Sequence, residues 1–183
     1  MHDNPMATDG FEFVEFSGPS ALSLTKLFNS LGFKAAAKHK EQDVTIFRQN
    51  NINFILNTQQ NSFAENFHKK HGASACGMAF RVKDAKYAFE RAVSLGAKPY
   101  TESTEHIGDN IPAIYGIGDS LLYLIDQYHD DLVYKSKFNF FEIKKQQNNP
   151  NLLWIDHLTH NLYKGNMDTW ADYYIKLFNF REI

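Results

Sequence analysis

Apolar and polar residues alternate, or recur at regular spacing, along the first sixty positions. Phe11–Phe16 reads FEFVEF, an alternation of apolar and acidic residues that predicts a half-buried β-strand. After the helix-start signal Ser17-Gly18-Pro19, apolar residues recur at helical spacing until Gly32 ends the pattern. Three strands are predicted next, at Phe33–Lys38, Val44–Gln49 and Ile52–Thr58. The order is therefore strand, helix and three strands.

The same order returns after one extra helix. A capping box opens that helix at Ser62, and Gly72 ends it. A strand is predicted at Cys76–Val82, and Asp84 caps a helix that ends at Gly96. Three further strands are predicted at Lys98–Glu102, Ile111–Tyr115 and Leu121–Asp126.

A third copy of the pattern begins near the end of the sequence. Leu153–Asn161 predicts a strand, and apolar residues on one face of Met167–Phe178 predict a helix. Glu12, Cys76 and His157 occupy equivalent positions in the first strands of the three copies. The pattern is an internal repeat of about fifty to seventy residues, which is a signal at the level of the fold.

We predict an α+β protein built from paired βαβββ modules. Such pairs curl into a cupped, barrel-like mixed sheet with helices outside, the architecture of the vicinal oxygen chelate, glyoxalase-like superfamily. We expect residues 1–127 to form an amino-terminal domain of two modules and residues 128–152 to form a linker. We expect residues 153–183 to be the truncated start of a second domain.

Composition narrows the class of protein. Apolar residues make up 43% and aromatic residues 15% of the chain, which is enough for a packed core. A net charge of −2 without a basic cluster predicts neither a nucleic-acid partner nor a membrane surface. Cys76 is the only cysteine, and the amino terminus lacks a signal-peptide pattern. We therefore expect a soluble, cytoplasmic protein.

The candidate metal chemistry lies in the segment WIDHLTHN, residues 154–161. Neutral imidazole suits divalent iron, manganese or zinc. On a regular strand His157 and His160 point to opposite faces, so both cannot bind one ion. Spacing alone leaves open whether His157 is a ligand or a hydrogen-bonded part of the scaffold.

Longer stretches resemble the 4-hydroxyphenylpyruvate dioxygenase family. The sequences IDHLTHNLYKG and WADYYIKLFNFRE look like the opening of that family's catalytic domain. Further similarity lies at Asn4–Met6, Gly10–Phe16, Arg48–Asn57, His71–Asp84 and Tyr123–Gln127. The resemblance covers almost the whole chain in order, and about the first half of a typical family member.

The resemblance implies that residues 153–183 are the truncated start of a catalytic domain, whose Fe(II) site has two histidines and one glutamate. It implies that His157 is the first ligand, that Asp156 is structural, and that the other two ligands lie beyond Ile183. The implied activity converts 4-hydroxyphenylpyruvate and O2 to homogentisate and CO2 in tyrosine degradation. We expect a homo-oligomer, a dimer or tetramer, at full length, and we expect the 183-residue chain alone to be inactive.

Two other functions stay open at this point. Hydroxymandelate synthase uses the same iron and the same substrate, and a βαβββ module can also bind a small molecule without catalysis. Several further residues are interpreted as structural. They are Glu12 and Cys76 in strands, His68 and His71 at a helix end, and Gly116–Gly118 in a hairpin.

Overall fold

Eight strands form one mixed sheet in the computed structural model, which describes residues 3–142 and 152–183. The strands are β1 (Phe11–Ser17), β2 (Lys34–His39), β3 (Val44–Gln49), β4 (Ile52–Asn57), β5 (Ser74–Arg81), β6 (Ala113–Tyr115), β7 (Leu121–Ile125) and β8 (Phe138–Phe140). The helices are α1 (Ala21–Ser30), α2 (Phe63–His71), α3 (Ala85–Ser94), α4 (Leu132–Lys135) and α5 (Met167–Phe178). Short 3-10 turns lie at Ile117–Asp119 and His129–Asp131.

The sheet order shows two related modules. The order is β6-β7-β5-β1-β4-β3-β2-β8. In one module β1 pairs with β4 in parallel, and in the other β5 pairs with β7 in parallel. The two modules meet where β1 and β5 pair antiparallel in the middle of the sheet. The predicted α+β fold of paired βαβββ modules is confirmed, with the first of the three strands after α3 reduced to a single bridge at Pro99.

The inner face of the sheet is defined by one apolar cluster. Phe13, Ile46, Ile55 and Tyr123 belong to it, together with Tyr134 of α4. Side chains from β2 at one end of the sheet and from β6 at the other share this cluster, so the sheet curls around it. The predicted cup is therefore present, and its interior is packed with side chains.

The helices cover the outer face in two places. Phe28 of α1 packs over β3 and β4 with Phe33, Phe47 and Leu56. On the other module, α3 and α5 pack over β5 and β7 around Phe178. Within the described residues, no helix is long and apolar enough to cross a membrane.

Two predicted strands are wrong. Residues 98–102 form only an isolated bridge between Pro99 and Ile114, in which the Tyr100 N–H donates to the carbonyl of Ala113 and the Tyr115 N–H donates to the carbonyl of Lys98. Residues 153–161 have no regular secondary structure. That segment runs past the β3–β4 turn, where the Asn51 N–H donates to the carbonyl of Leu153 at 3.2 Å. No described strand pairs with it.

The segment predicted as a linker contains regular structure. Residues of α4 fill the inner face, and β8 pairs antiparallel with β2 at one edge of the sheet. Phe138 is buried, whereas Phe140 and Phe141 are exposed. The amide-rich run at residues 146–150 lies outside the described residues. The division of the chain into domains stays a prediction.

Candidate functional site

His157 lies in the irregular segment that precedes α5. Its side chain is 78% exposed, and Nδ1 lies 2.8 Å from Oδ2 of Asp156, which is also exposed. The argument from strand parity does not apply, because residues 153–161 form no strand. The described part of the chain contains no group of three His, Cys, Asp or Glu residues that could hold a metal. His157 therefore offers a single imidazole.

His160, the second histidine of this segment, has different surroundings. Its ring stacks on Tyr174 of α5, with ring centroids 6.1 Å apart and planes inclined by 30°. Loss of solvent on this side lowers the pKa of His160, because burial disfavours the charged imidazolium. His160 thus packs on the helix, apart from the exposed ring of His157.

A second concentration of polar groups lies inside the cup, and sequence reasoning missed it. Glu15 of β1 is completely buried. Its oxygens accept hydrogen bonds from Tyr123 Oη at 2.7 Å and from Asn57 Nδ2 at 2.8 Å. Nε2 of His106 lies 3.2 Å from Glu15 Oε1 and 3.0 Å from Tyr123 Oη. We call these four residues the Glu15 network.

The FEFVEF alternation gave the wrong expectation for β1. Glu12 and Glu15 are both buried, at 2% and 0% exposure. The β1–β5 pairing shifts register between Phe11 and Phe13, and both carboxylates bond to tyrosines of the inner-face cluster. A usable signal was present in the spacing. Residues three apart on a regular strand point to opposite faces, so two acids at that spacing cannot both face solvent on a half-buried strand.

The Glu15 network holds a carboxylate in its charged form. Burial by itself raises the pKa of Glu15, because the charge loses its hydration. The attraction of His106 and the hydrogen bonds from His106, Tyr123 and Asn57 outweigh burial and leave the pKa of Glu15 below its usual 4.5. The ionised carboxylate is therefore the state that this part of the fold stabilises.

This pKa shift predicts how stability responds to acid. A carboxyl group whose pKa is lowered by folding contributes stability above its unfolded pKa and loses it as the pH falls through the folded value. The difference in free energy of unfolding between the wild type and Glu15→Gln should therefore shrink as the pH drops below about 4.5. Urea unfolding of both proteins across an acidic pH series measures this difference. A difference independent of pH would contradict it.

Glu12 forms a separate buried network. It accepts hydrogen bonds from Tyr134 Oη at 2.8 Å and Arg81 Nε at 2.7 Å. Here burial dominates, and it raises the pKa of Glu12 despite these two partners. The thiol of Cys76 is also buried, which raises its pKa well above the usual range and leaves it poorly nucleophilic. These surroundings support the structural interpretation of both residues.

The remaining candidates lie in ordinary structural positions. Gly116–Gly118 leads into β7 through a turn in which Gly118 has a φ of 64°, and no helix follows as a dinucleotide loop would require. His68 and His71 lie in the last turn of α2, where the ring of His71 packs on Phe67 with centroids 4.4 Å apart.

The fold defines a protein of the vicinal oxygen chelate type, with two βαβββ modules sharing one curled mixed sheet. A family model described as "Hydroxyphenylpyruvate dioxygenase, HPPD, N-terminal" matches residues 2–139. The chain therefore belongs to the hydroxyphenylpyruvate dioxygenase family. It corresponds to the amino-terminal part of that family's proteins.

Individual relatives extend the match over the rest of the chain. The chain is 48% identical to a 4-hydroxyphenylpyruvate dioxygenase of Pseudomonas aeruginosa, over 98% of this chain and 52% of the relative. It is 46% identical to the hemolysin VllY of Vibrio vulnificus, again over 98% of this chain and 52% of the relative. The chain spans about half the length of these curated relatives.

A solved structure agrees with the fold. A xylose isomerase-like TIM barrel/4-hydroxyphenylpyruvate dioxygenase fusion protein superposes with a TM-score of 0.83 at 33% identity. The superposition covers 98% of this chain and 29% of that protein.

Proposed function

We propose that the protein to which this chain belongs is a 4-hydroxyphenylpyruvate dioxygenase. It would use Fe(II) to convert 4-hydroxyphenylpyruvate and O2 to homogentisate and CO2 in tyrosine degradation. The observation that carries this proposal is the 43–48% identity to relatives of that name, which extends along almost the whole chain. It includes the segment around His157, beyond the end of the family-model match at residue 139.

His157 is the residue that we propose as an iron ligand. Its exposed ring can donate a lone pair, and the contact of Nδ1 with Asp156 leaves Nε2 free for a metal. Bound Fe(II) would supply the activation of O2 for oxidative decarboxylation of the substrate. A site of two histidines and one carboxylate needs two donors in addition to His157.

The two modules of the amino-terminal part would serve as a scaffold in this proposal. Their cup is packed with buried side chains, among them Phe13, Ile55, Tyr123 and Tyr134. Chemistry would then take place on the domain that begins with the His157 segment.

We also propose a cytoplasmic location and a homo-oligomeric state. A single buried thiol, Cys76, suits a reducing compartment. Large apolar side chains are exposed on α1 at Leu22 and Leu27 and at its C-cap, Leu31, and a contact between subunits would bury such groups.

Iron content and product together test the proposal. The protein, expressed at the full length encoded by its gene, should bind Fe(II) and release homogentisate and CO2 from 4-hydroxyphenylpyruvate. His157→Ala should lower iron affinity by more than roughly 100-fold, because loss of a direct ligand exceeds the effect of changing an outer partner. His160→Ala is the matched control and should retain iron.

The alternatives predict different results in the same experiment. Formation of 4-hydroxymandelate in place of homogentisate would identify a hydroxymandelate synthase. A full-length protein that binds 4-hydroxyphenylpyruvate but no Fe(II) would favour a non-enzymatic binding module. Unchanged iron affinity in His157→Ala would remove His157 from the site. The 183-residue chain alone should give no product, since one imidazole does not make a stable iron site.

A further inference from the structure

The loop between α3 and β6 closes the cup from one side. Ile107 is completely buried in the apolar cluster of the inner face. The loop backbone passes so close to α4 that a Cβ on Gly108 would lie 2.3 Å from the carbonyl oxygen of Val133. Oγ1 of Thr104 donates to the carbonyl of Ile111 at 2.9 Å, which fixes the turn of the loop. This loop therefore delivers a fixed side chain into the cup.

The side chain that it delivers is His106, whose partners all belong to the sheet. Glu15 is on β1 and Tyr123 is on β7, while Asn57 of β4 holds the other side of the carboxylate. These strand residues thus form a fixed set of hydrogen-bonding groups, which we call the receptor. A residue of the loop occupies it. Gly77 of β5 makes the arrangement possible, since a Cβ there would lie 2.9 Å from Cε2 of Tyr123.

The hydrogen bonds define what the receptor recognises. The hydroxyl proton of Tyr123 is directed to Glu15 Oε2, so the phenol oxygen and Oε1 are both left as acceptors. Nε2 of His106 lies within 3.2 Å of both acceptors and must carry the proton that they share. A buried carboxylate also favours a cationic partner, because an unpaired buried charge is strongly unfavourable.

We propose that the inner face of the cup is a binding site for a small N–H heterocycle, such as imidazole or imidazolium, which the chain fills with its own His106. The loop acts as a built-in plug, so the cup binds no free ligand while the plug is in place. The contacts that support this inference involve neither iron nor His157. The inference can therefore be tested independently of the proposed dioxygenase function.

Removal of the plug side chain should expose the receptor. In His106→Gly the imidazole ring is missing while Glu15, Tyr123 and Asn57 remain on their strands. Free imidazole can then enter the space and restore the same hydrogen bonds. In the wild type the tethered ring has a large effective concentration, so added imidazole should not compete.

Thermal unfolding of the 183-residue chain tests this inference. His106→Gly should have a lower Tm than the wild type. Imidazole should raise the Tm of this variant with saturation, by roughly 3–6 °C at ten times its dissociation constant. Imidazole should not change the Tm of the wild type. Thiazole has the same ring size without an N–H, and it should not change the Tm of the variant.

The double variant His106→Gly with Glu15→Gln is the matched control, because it keeps the space but removes the carboxylate. It should show no saturable response to imidazole. If His106→Gly does not fold alone, the folded fraction recovered on refolding in imidazole and in thiazole gives the same comparison.

Three results would overturn the inference. One is the absence of a saturable response to imidazole in His106→Gly, and another is an equal response in the wild type or with thiazole. The third comes from 15N NMR of the wild type, in which Nε2 of His106 should carry a proton. An unprotonated Nε2 would show that the receptor does not select an N–H donor.

Discussion

Replacement of Glu15 by glutamine is expected to lower the free energy of unfolding by roughly 3–5 kcal/mol, because hydrogen bonds to a charged group contribute roughly 1.5–3 kcal/mol each and several are weakened or lost. Glu15 accepts hydrogen bonds from three donors, on Asn57, Tyr123 and His106, and it is completely buried. The glutamine amide offers one acceptor oxygen and turns its own NH2 group toward donors. Urea unfolding at neutral pH measures the loss.

Glu90→Gln is the matched control for this change. Glu90 lies on the exposed face of α3, and its oxygen is 3.9 Å from the ammonium of Lys86 one helical turn away. An exposed pair of this kind contributes at most roughly 0.5 kcal/mol. A loss in Glu15→Gln no larger than in Glu90→Gln would show that the Glu15 network does not hold the cup together.

The internal repeat made the architecture predictable. In each module, a strand is followed by a helix with a small apolar face and then by further strands, and these periods are readable without the structure. The parallel direction of β4 relative to β1 follows from that order, because the α1 crossover lets β2 run the same way as β1 and the chain then reverses twice, through β3 and β4. Local periodicity was therefore sufficient to predict the order of helices and strands in each module.

The predicted strands that are wrong are those that form no ladder with a described neighbouring strand. Residues 98–102 and 153–161 alternate like strands, but a strand exists only where a neighbour supplies a ladder. The first segment forms one bridge, at Pro99, and the second pairs with no described strand. The burial of Glu12 and Glu15 likewise depends on the register shift in β1 and on partners from other elements, which a local pattern does not state.

The candidate metal ligand was found by resemblance, and spacing did not find it. His157 has only Asp156 as a hydrogen-bonding neighbour in the described structure, so its role as an iron ligand stays a prediction. The Glu15 network is the opposite case. Its members lie at positions 15, 57, 106 and 123, and only the fold brings them together. A motif search along the chain has no means of grouping residues so far apart.

Phe28→Ala is expected to lower the free energy of unfolding by roughly 3–5 kcal/mol, as is typical for removal of a buried aromatic ring. Phe28 is 1% exposed, and its ring centroid lies 5.1–5.3 Å from those of Phe16, Phe47 and Phe54. These residues come from three strands, so one ring of α1 holds the helix to the outer face of the sheet. Urea unfolding followed by circular dichroism measures the change.

Leu27→Ala is the matched control, because it removes an apolar side chain from the preceding position of the same helix. Leu27 is 50% exposed, so its truncation leaves no cavity and should change stability by less than roughly 1 kcal/mol. Both variants place alanine in the same helix, so their helix propensities match. The difference between their losses in stability therefore reports packing against the sheet. Equal losses in the two variants would mean that α1 is held by its exposed face, for example through a subunit contact at Leu22, Leu27 and Leu31.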